Sequence, residues 1–221
     1  MLAEILHLCR HAPGALALKR TLPQDALYAE LIGRADRAGL ADRRRALVAD
    51  LRGHVVEVGC GTGAMFGHYE QATVTAIEPD EAFAARAREA AHGRPIEVII
   101  GTGEAMPLPD ASADAAVVVL VLCSVPDVDA VCREIVRIVK PGGAVRLLEH
   151  VRSTATVAGA LMRAVDPLWL RINGQGCHLD RDPVPALERA GLRIESVHAF
   201  QIWSAGLPAF PMRSIRCRTR K

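Results

Sequence analysis

Residues 54–69 read HVVEVGCGTGAMFGHY, with four glycines and a threonine packed behind a short apolar run. His54 to Val58 has the length and β-branched content of a buried strand, and the glycines that follow predict a tight turn opening a helix. Gly59, Gly61 and Ala64 satisfy a loose G-x-G-x-x-G/A pattern, in which glycines let backbone approach a bound molecule closely. Alone, such a turn is a weak signal, so its weight depends on what surrounds it.

Outward from the turn, the periodicity alternates between strand and helix. VTAI (74–77) predicts a second strand, and DEAFAARAREAA (80–91) places Phe83, Ala84, Ala87 and Ala91 on one helical face. IEVII (96–100) is a third strand, followed by the glycine- and proline-rich loop GTGEAMPLPDAS. ADAAVVVLVL (113–122) is continuously apolar, the mark of a strand buried on both faces of a parallel sheet. DVDAVCREIVRIV (127–139) carries Val128, Val131, Ile135 and Ile138 on one stripe, KPGG (140–143) is expected to end that helix, and AVRLLEH (144–150) is strand five. Parallel strands need helical crossovers, so this order predicts an α/β, doubly wound sheet.

The flanks depart from that rhythm. Residues 1–52 read as an N-terminal helical cap, 53–151 as the ligand-binding core, 152–180 as a lid with an apolar helix and a glycine loop, and 181–221 as a C-terminal helix and strands. All four are expected to form one domain, since 221 residues with half of them hydrophobic suffice for one full core. Asp182 is placed to cap a helix beginning at Pro183 and running to Gly191. Residues 192–200 read as strand six, and the alternating arginines of PMRSIRCRTRK predict a last strand running into a solvated tail.

Composition narrows the functions. A net charge of +2 and 4% aromatic residues give neither a nucleic-acid footprint nor base-stacking platforms. Six dispersed cysteines with no CxxC pair suggest neither a metal site nor a disulfide framework, and fit free thiols in a cytoplasmic protein. The N-terminal MLAEILHLCRHAPG is too short and too polar to span a membrane.

Glu78 follows Gly59 by 19 positions, at the end of strand two, where a carboxylate accepts two ribose hydroxyls. Ribose belongs both to NAD and to S-adenosylmethionine. A short-chain dehydrogenase needs a tyrosine with lysine four residues on, and neither Tyr28 nor Tyr69 has it. Glu57 before the turn, GEAMPLPD after strand three and KPGG before strand five favour the methyl donor.

With EVGCGTG, KPGG and RDPVPALERAGL in place, the sequence resembles the class I S-adenosylmethionine-dependent methyltransferases. GTGAMFGHY, VLCSVPDV, VRLLEHV, DPLW and GCHLDRD resemble a narrower branch of small bacterial methyltransferases and animal alkyl-thiol methyltransferases, with departures at Met65 and Thr102. The resemblance implies a Rossmann-like, mostly parallel seven-stranded sheet whose last strand is antiparallel. It implies that Glu57, Gly59, Cys60, Gly61 and Gly63 surround the methionine part and ribose, with Glu78 on the ribose hydroxyls and Pro79 against adenine. Thr102, Gly103 and Glu104 would meet the adenine edge, and Leu122, Cys123 and Ser124 would border the transferable methyl.

Methyl transfer from a sulfonium is an in-line displacement, so alignment and exclusion of water matter most. A thiol acceptor is itself partly ionised near neutral pH, whereas a hydroxyl or ammonium acceptor needs a base. His150 after strand five and His178 in the lid loop are candidate bases, with Asp166 as the orienting carboxylate. Val157, Leu161, Val165, Leu168 and Trp169 suggest an apolar helical surface able to cover a small acceptor, with most of these residues expected in core packing and one or two, Trp169 among them, against substrate. The reading is a small-molecule methyltransferase, possible thiol specificity included; its alternatives are O- or N-methylation of a small metabolite, an RNA substrate held by the arginine tail, and a non-catalytic cofactor-binding protein.

Overall fold

A computed structural model describes residues 22–173, 176–203 and 211–220. The expectation for MLAEILHLCRHAPG lies outside these residues. Two helices come first, α1 (Gln24–Ala35) and α2 (Ala41–Val48), joined by a wide helical turn at Asp36–Leu40 where Gly39 has φ 109°. They match the helical part of the expected cap.

Seven strands then form one sheet in the order β3-β2-β1-β4-β5-β7-β6. β1 (Gly53–Val58), β2 (Ala72–Glu78), β3 (Ile96–Ile100), β4 (Ala113–Val119) and β5 (Val139–His150) pair in parallel. β7 (Pro211–Arg218) is antiparallel to both β5 and β6 (Arg193–Gln201). The doubly wound, mostly parallel sheet with an antiparallel last strand is therefore as the sequence predicts. The chain steps from β1 outward to β3, then returns to place β4 on the other side of β1, and open sheets bind ligands where the order reverses.

Alternating side chains divide the core. Val55, Val74 and Leu148 face Leu40, Leu47 and Phe66 on one side, together with Ala87 and Ala91 of α3 (Glu81–Ala91). Val56, Val118 and Val145 face Val131, Ile135 and Ile138 of α4 (Val128–Ile138), and Leu187 of α6 (Val184–Arg189), on the other. Asp80 and Asp127 cap α3 and α4 by accepting backbone N–H groups, which fixes where each crossover helix leaves the ligand end of the sheet. Ile135 is fully buried. Ile135→Ala is expected to cost about 3 kcal/mol of unfolding free energy, because the cavity it leaves is walled by strands that cannot close in. Urea denaturation checks this.

Several expectations need correction. The glycine turn is followed by a single helical turn, Phe66–His68, not a long helix. β4 stops at Val119, because Leu120 takes φ 61° and the next two N–H groups turn toward Glu149. KPGG does not terminate α4 by itself: α4 ends at Ile138, and residues 140–143 belong to the irregular start of β5, where the register with β4 shifts. The expected solvated tail is not free: β7 lies between β5 and β6, and its Arg216 and Arg218 pair with Asp50 and Glu195, while Lys221 lies outside the described residues. The helix after β5, α5 (Thr156–Asn173), runs through Pro167. Its apolar face is exposed, not packed: Val157, Leu161, Val165 and Leu168 all lie in solvent. Asp182 does hold the start of α6, accepting Val184 N–H at 3.1 Å while its carboxylate pairs with Arg213.

Candidate active site

The turn after β1 is built from backbone. Gly59 and Gly61 take φ 66° and 57°, a region that disfavours a side chain. A Cβ on Gly59 would stand 2.6 Å from a Val121 methyl carbon, and one on Gly61 would stand 3.2 Å from the Tyr28 ring. The turn therefore lies beneath the loop that follows β4 on one side and beneath α1 on the other. Cys60 N–H donates to the Ile77 carbonyl and Gly63 N–H to that of Cys60, closing the turn. Burial raises the Cys60 thiol far above its ordinary range, so this side chain is neutral packing.

Glu78 ends β2 with its side chain buried. One carboxylate oxygen accepts Gly61 N–H at 2.9 Å and the other accepts Asp80 N–H at 3.1 Å. Each oxygen keeps a further lone pair, so the group is aimed and still able to accept two hydroxyls. Glu57, in the middle of the sheet, accepts the Tyr69 hydroxyl at 2.9 Å. Burial pushes its carboxyl up to about 8 despite that bond.

A stability consequence follows. A carboxyl whose folded pKa is raised stays protonated while the unfolded chain releases its proton. Its contribution is complete below about 4.5 and is lost as pH rises through about 8. Urea unfolding of the ligand-free protein at about pH 5 and pH 8 is expected to show lower stability at the higher pH. Glu57→Gln should flatten that difference, and an unchanged slope would show that Glu57 is ionised in the fold.

At the end of β3, Thr102 bridges to Ala105 and is exposed, while Gly103 is packed against Val58 and Val131. Glu104 keeps one carboxylate oxygen buried without a hydrogen-bond partner among the described residues. Pro79 is exposed beside Glu78. Tyr28, which sequence reasoning weighed only as a dehydrogenase tyrosine, lies over the glycine turn and against the Phe83 ring at 5.3 Å. Asp25, three residues earlier on α1, pairs with Arg86 of α3 and fastens that helix across the site. Tyr28 carries no motif spacing; only the packing of α1 reveals it.

Beyond β4, Val121 and Leu122 donate their N–H groups to one oxygen of Glu149, which is wholly buried near the end of β5. Burial raises the Glu149 carboxyl to about 7. This bracing presents Leu122 and Cys123, both buried, with Ser124 half-buried beside them. Residues Leu122, Cys123, Glu149, His150 and Arg181 line part of a cavity of about 480 Å³.

Two of the sequence-predicted catalytic residues meet. Asp166 is buried on α5 and accepts from the His178 ring Nδ1 at 2.8 Å, its other oxygen taking Leu179 N–H. His150 does not join them. Its Nε2 lies 2.7 Å from Cys177 Sγ, and Cys123 Sγ completes a cluster whose ligand atoms all lie within 4.8 Å of one another. The Cys123 hydrogen bond to Cys177 lowers the Cys177 thiol and lifts that of Cys123. Burial alone would depress the His150 imidazolium, but the neighbouring sulfur and carboxylate charges outweigh it and raise its pKa.

The donor set fits S-adenosylmethionine. A buried carboxylate aimed by two backbone N–H groups stands 2.9 Å from the Gly61 nitrogen of the turn, and an unpartnered Glu104 oxygen waits at the next strand end.

Comparison with known proteins agrees. Residues 56–147 match a family model described as a methyltransferase domain. Human thiol S-methyltransferase TMT1A is 35% identical over 70% of this chain and 67% of its own length, and rat thiol S-methyltransferase TMT1B is 37% identical over 65% and 63%. The chain thus spans about two thirds of the length of these relatives. Among solved structures, geranyl diphosphate methyltransferase in complex with S-adenosylmethionine superposes with a TM-score of 0.68 over 86% of this chain and 89% of that one; at 14% identity it speaks to the fold. Sequence similarity and sheet order converge on one assignment: the chain belongs to the class I S-adenosylmethionine-dependent methyltransferases.

Proposed function

We propose that this methyltransferase acts on a small thiol, and that Asp166 and His178 take the thiol's proton. The observation that carries the reading is the Asp166–His178 pair beside a buried, sulfur-lined strand end, in a chain similar to two thiol S-methyltransferases. When bound, the cofactor supplies an electrophilic methyl on a sulfonium, open to in-line displacement.

The protein's part is positional. In this reading Glu78 holds the ribose hydroxyls, with Glu57, Gly59, Cys60, Gly61 and Gly63 around the methionine portion and ribose. Pro79, Thr102, Gly103 and Glu104 border the adenine, and Tyr28 covers the turn. Leu122, Cys123 and Ser124 line the path to the acceptor. Asp166 accepts the His178 Nδ1 proton, which leaves Nε2 as the site that takes the acceptor's proton. His150, directed at Cys177, positions that sulfur instead of serving as a second base. The helices of residues 22–52 and α5 act as covers that exclude water once both substrates are in place.

A cytoplasmic location belongs to the same reading, supported by the five free cysteines among the described residues. No helix among those residues is long and apolar enough to cross a membrane. The test is incubation of purified protein with methyl-labelled cofactor and a panel of thiols, phenols, amines and RNA. Label on thiols alone is the expected result; label on phenols, amines or RNA and not on thiols would overturn it.

A further inference from the structure

We infer that Cys123, His150 and Cys177 form a binding site for one soft divalent cation, zinc by its donor set, with a fourth position open to the acceptor. The three residues are separated by 27 positions each, so no sequence spacing announces them, and dispersed thiols gave no reason to expect a metal. The fold brings them together from the loop after β4, the last residue of β5 and the glycine loop after α5.

The geometry is that of a site one small adjustment from closure. Zinc takes thiolate sulfur at about 2.3 Å and imidazole nitrogen at about 2.0–2.1 Å in a tetrahedral shell. Ligand atoms around it therefore stand roughly 3.3 to 3.8 Å apart. The atoms here lie as close as 2.7 Å for His150 Nε2 and Cys177 Sγ, and none of the three is beyond 4.8 Å from another. Side-chain rotation without backbone movement spans that range. Two sulfurs and an imidazole disfavour magnesium and calcium, which require oxygen ligands. Two thiolates also neutralise a divalent charge, which matters where Cys123 and His150 are both buried.

The supports of the ligands are themselves fixed. His178 N–H donates to the Cys123 carbonyl at 2.8 Å, tying the two cysteine-bearing loops to each other. Asn173 Nδ2 donates to the Cys177 carbonyl at 2.9 Å and to that of Trp169 at 3.1 Å, holding the loop to the end of α5. Gly176 has φ 69°, and a Cβ there would stand 3.1 Å from the Ser124 carbonyl oxygen, so the loop seats Cys177 only because that position is glycine. Outer groups of this kind set ligand orientation in metal sites. Three protein ligands with an open fourth position distinguish a catalytic zinc site from a closed structural one. Cys123 and His150 also line the 480 Å³ cavity, which gives that position a space to face. A thiol entering it would bind as thiolate, its proton taken by His178 as proposed above; this role, unlike the metal site itself, rests on the thiol-acceptor reading.

Fully reduced protein, its thiols counted, would be equilibrated with zinc chloride, dialysed against metal-free buffer and assayed by elemental analysis. The expected result is one zinc per chain, falling at least tenfold in Cys177→Ser and in Cys123→Ser, while calorimetric binding of S-adenosylhomocysteine stays within about twofold in Cys177→Ser. Cobalt loading of the unmutated protein supplies a check that needs no variant: a thiolate-to-cobalt charge-transfer band is expected. Less than a tenth of a zinc per chain in protein that binds S-adenosylhomocysteine, no cobalt–thiolate band, or zinc retained by both cysteine variants would overturn the site. Adding a small thiol should shift the cobalt spectrum. A cobalt spectrum indifferent to thiols would overturn the open position alone, leaving the metal site and, through the labelled-acceptor panel, the thiol reading to stand or fall separately.

Discussion

Glu78→Ala is expected to weaken binding of S-adenosylhomocysteine by about 100-fold, the largest loss from any single side chain at the donor end. Hydrogen bonds to a charged group contribute roughly 1.5–3 kcal/mol each, and two ribose hydroxyls are at stake. A net loss of about 3 kcal/mol is about two decades in affinity. The substitution also frees Gly61 N–H and Asp80 N–H, whose bonds to Glu78 hold the glycine turn against the start of α3. Glu78→Gln separates these effects, since it keeps an acceptor for one N–H and one hydroxyl; an intermediate loss is expected. Isothermal calorimetry measures all three proteins. A loss below about threefold for Glu78→Ala would remove the ribose from Glu78.

His178→Ala is expected to do the reverse, lowering kcat with a thiol acceptor about 100-fold and leaving S-adenosylhomocysteine affinity within about twofold. Proton removal by a positioned side chain is worth typically 10²–10⁴-fold. The lower end applies here, because a thiol already ionises in part without help. Asp166→Asn should follow in the same direction with a smaller loss: the amide still meets the ring but no longer favours the charged imidazole. Its other oxygen also anchors Leu179 N–H, so circular dichroism is needed beside the kinetics to establish that the loop after α5 has kept its place. Equal losses of cofactor affinity in Glu78→Ala and His178→Ala would refute this division between a donor end and an acceptor end.

The strand and turn frame around β1 and β2 was legible because it is local. EVGCGTG, the acidic residue closing β2 and the strand–helix alternation each announce themselves within a few residues, and the sheet bears them out in order and direction. The acceptor end was only half legible because its contacts are distant in sequence. An apolar run through Leu122 looks like uninterrupted strand until Glu149, 28 residues on from Val121, takes two of its N–H groups and bends the chain. KPGG carries strong stop signals, yet α4 has already ended at Ile138, two residues before the motif begins, and the motif falls where β5 begins to pair. α5 runs past Pro167 on an exposed element that forgoes a backbone hydrogen bond at that turn. Asp166 and His178 were named from position alone, and their bond depends on that continuation. The pairing of His150 with two sulfurs had no local signal at all.

The glycine turn and the Glu149 brace divide this molecule into two kinds of specification. Around the turn, structure is written in backbone torsions that exclude side chains, so a substitution at Gly59 or Gly61 drives a Cβ toward Val121 or Tyr28. Past the brace, the surface is written in side chains borne on two loops, one pinned by buried Glu149 and the other by Asp166 and Asn173. On the proposed placement of the two substrates, side-chain exchanges across the second surface would change the acceptor while the methyl donor, and the fold that holds it, stay as they are.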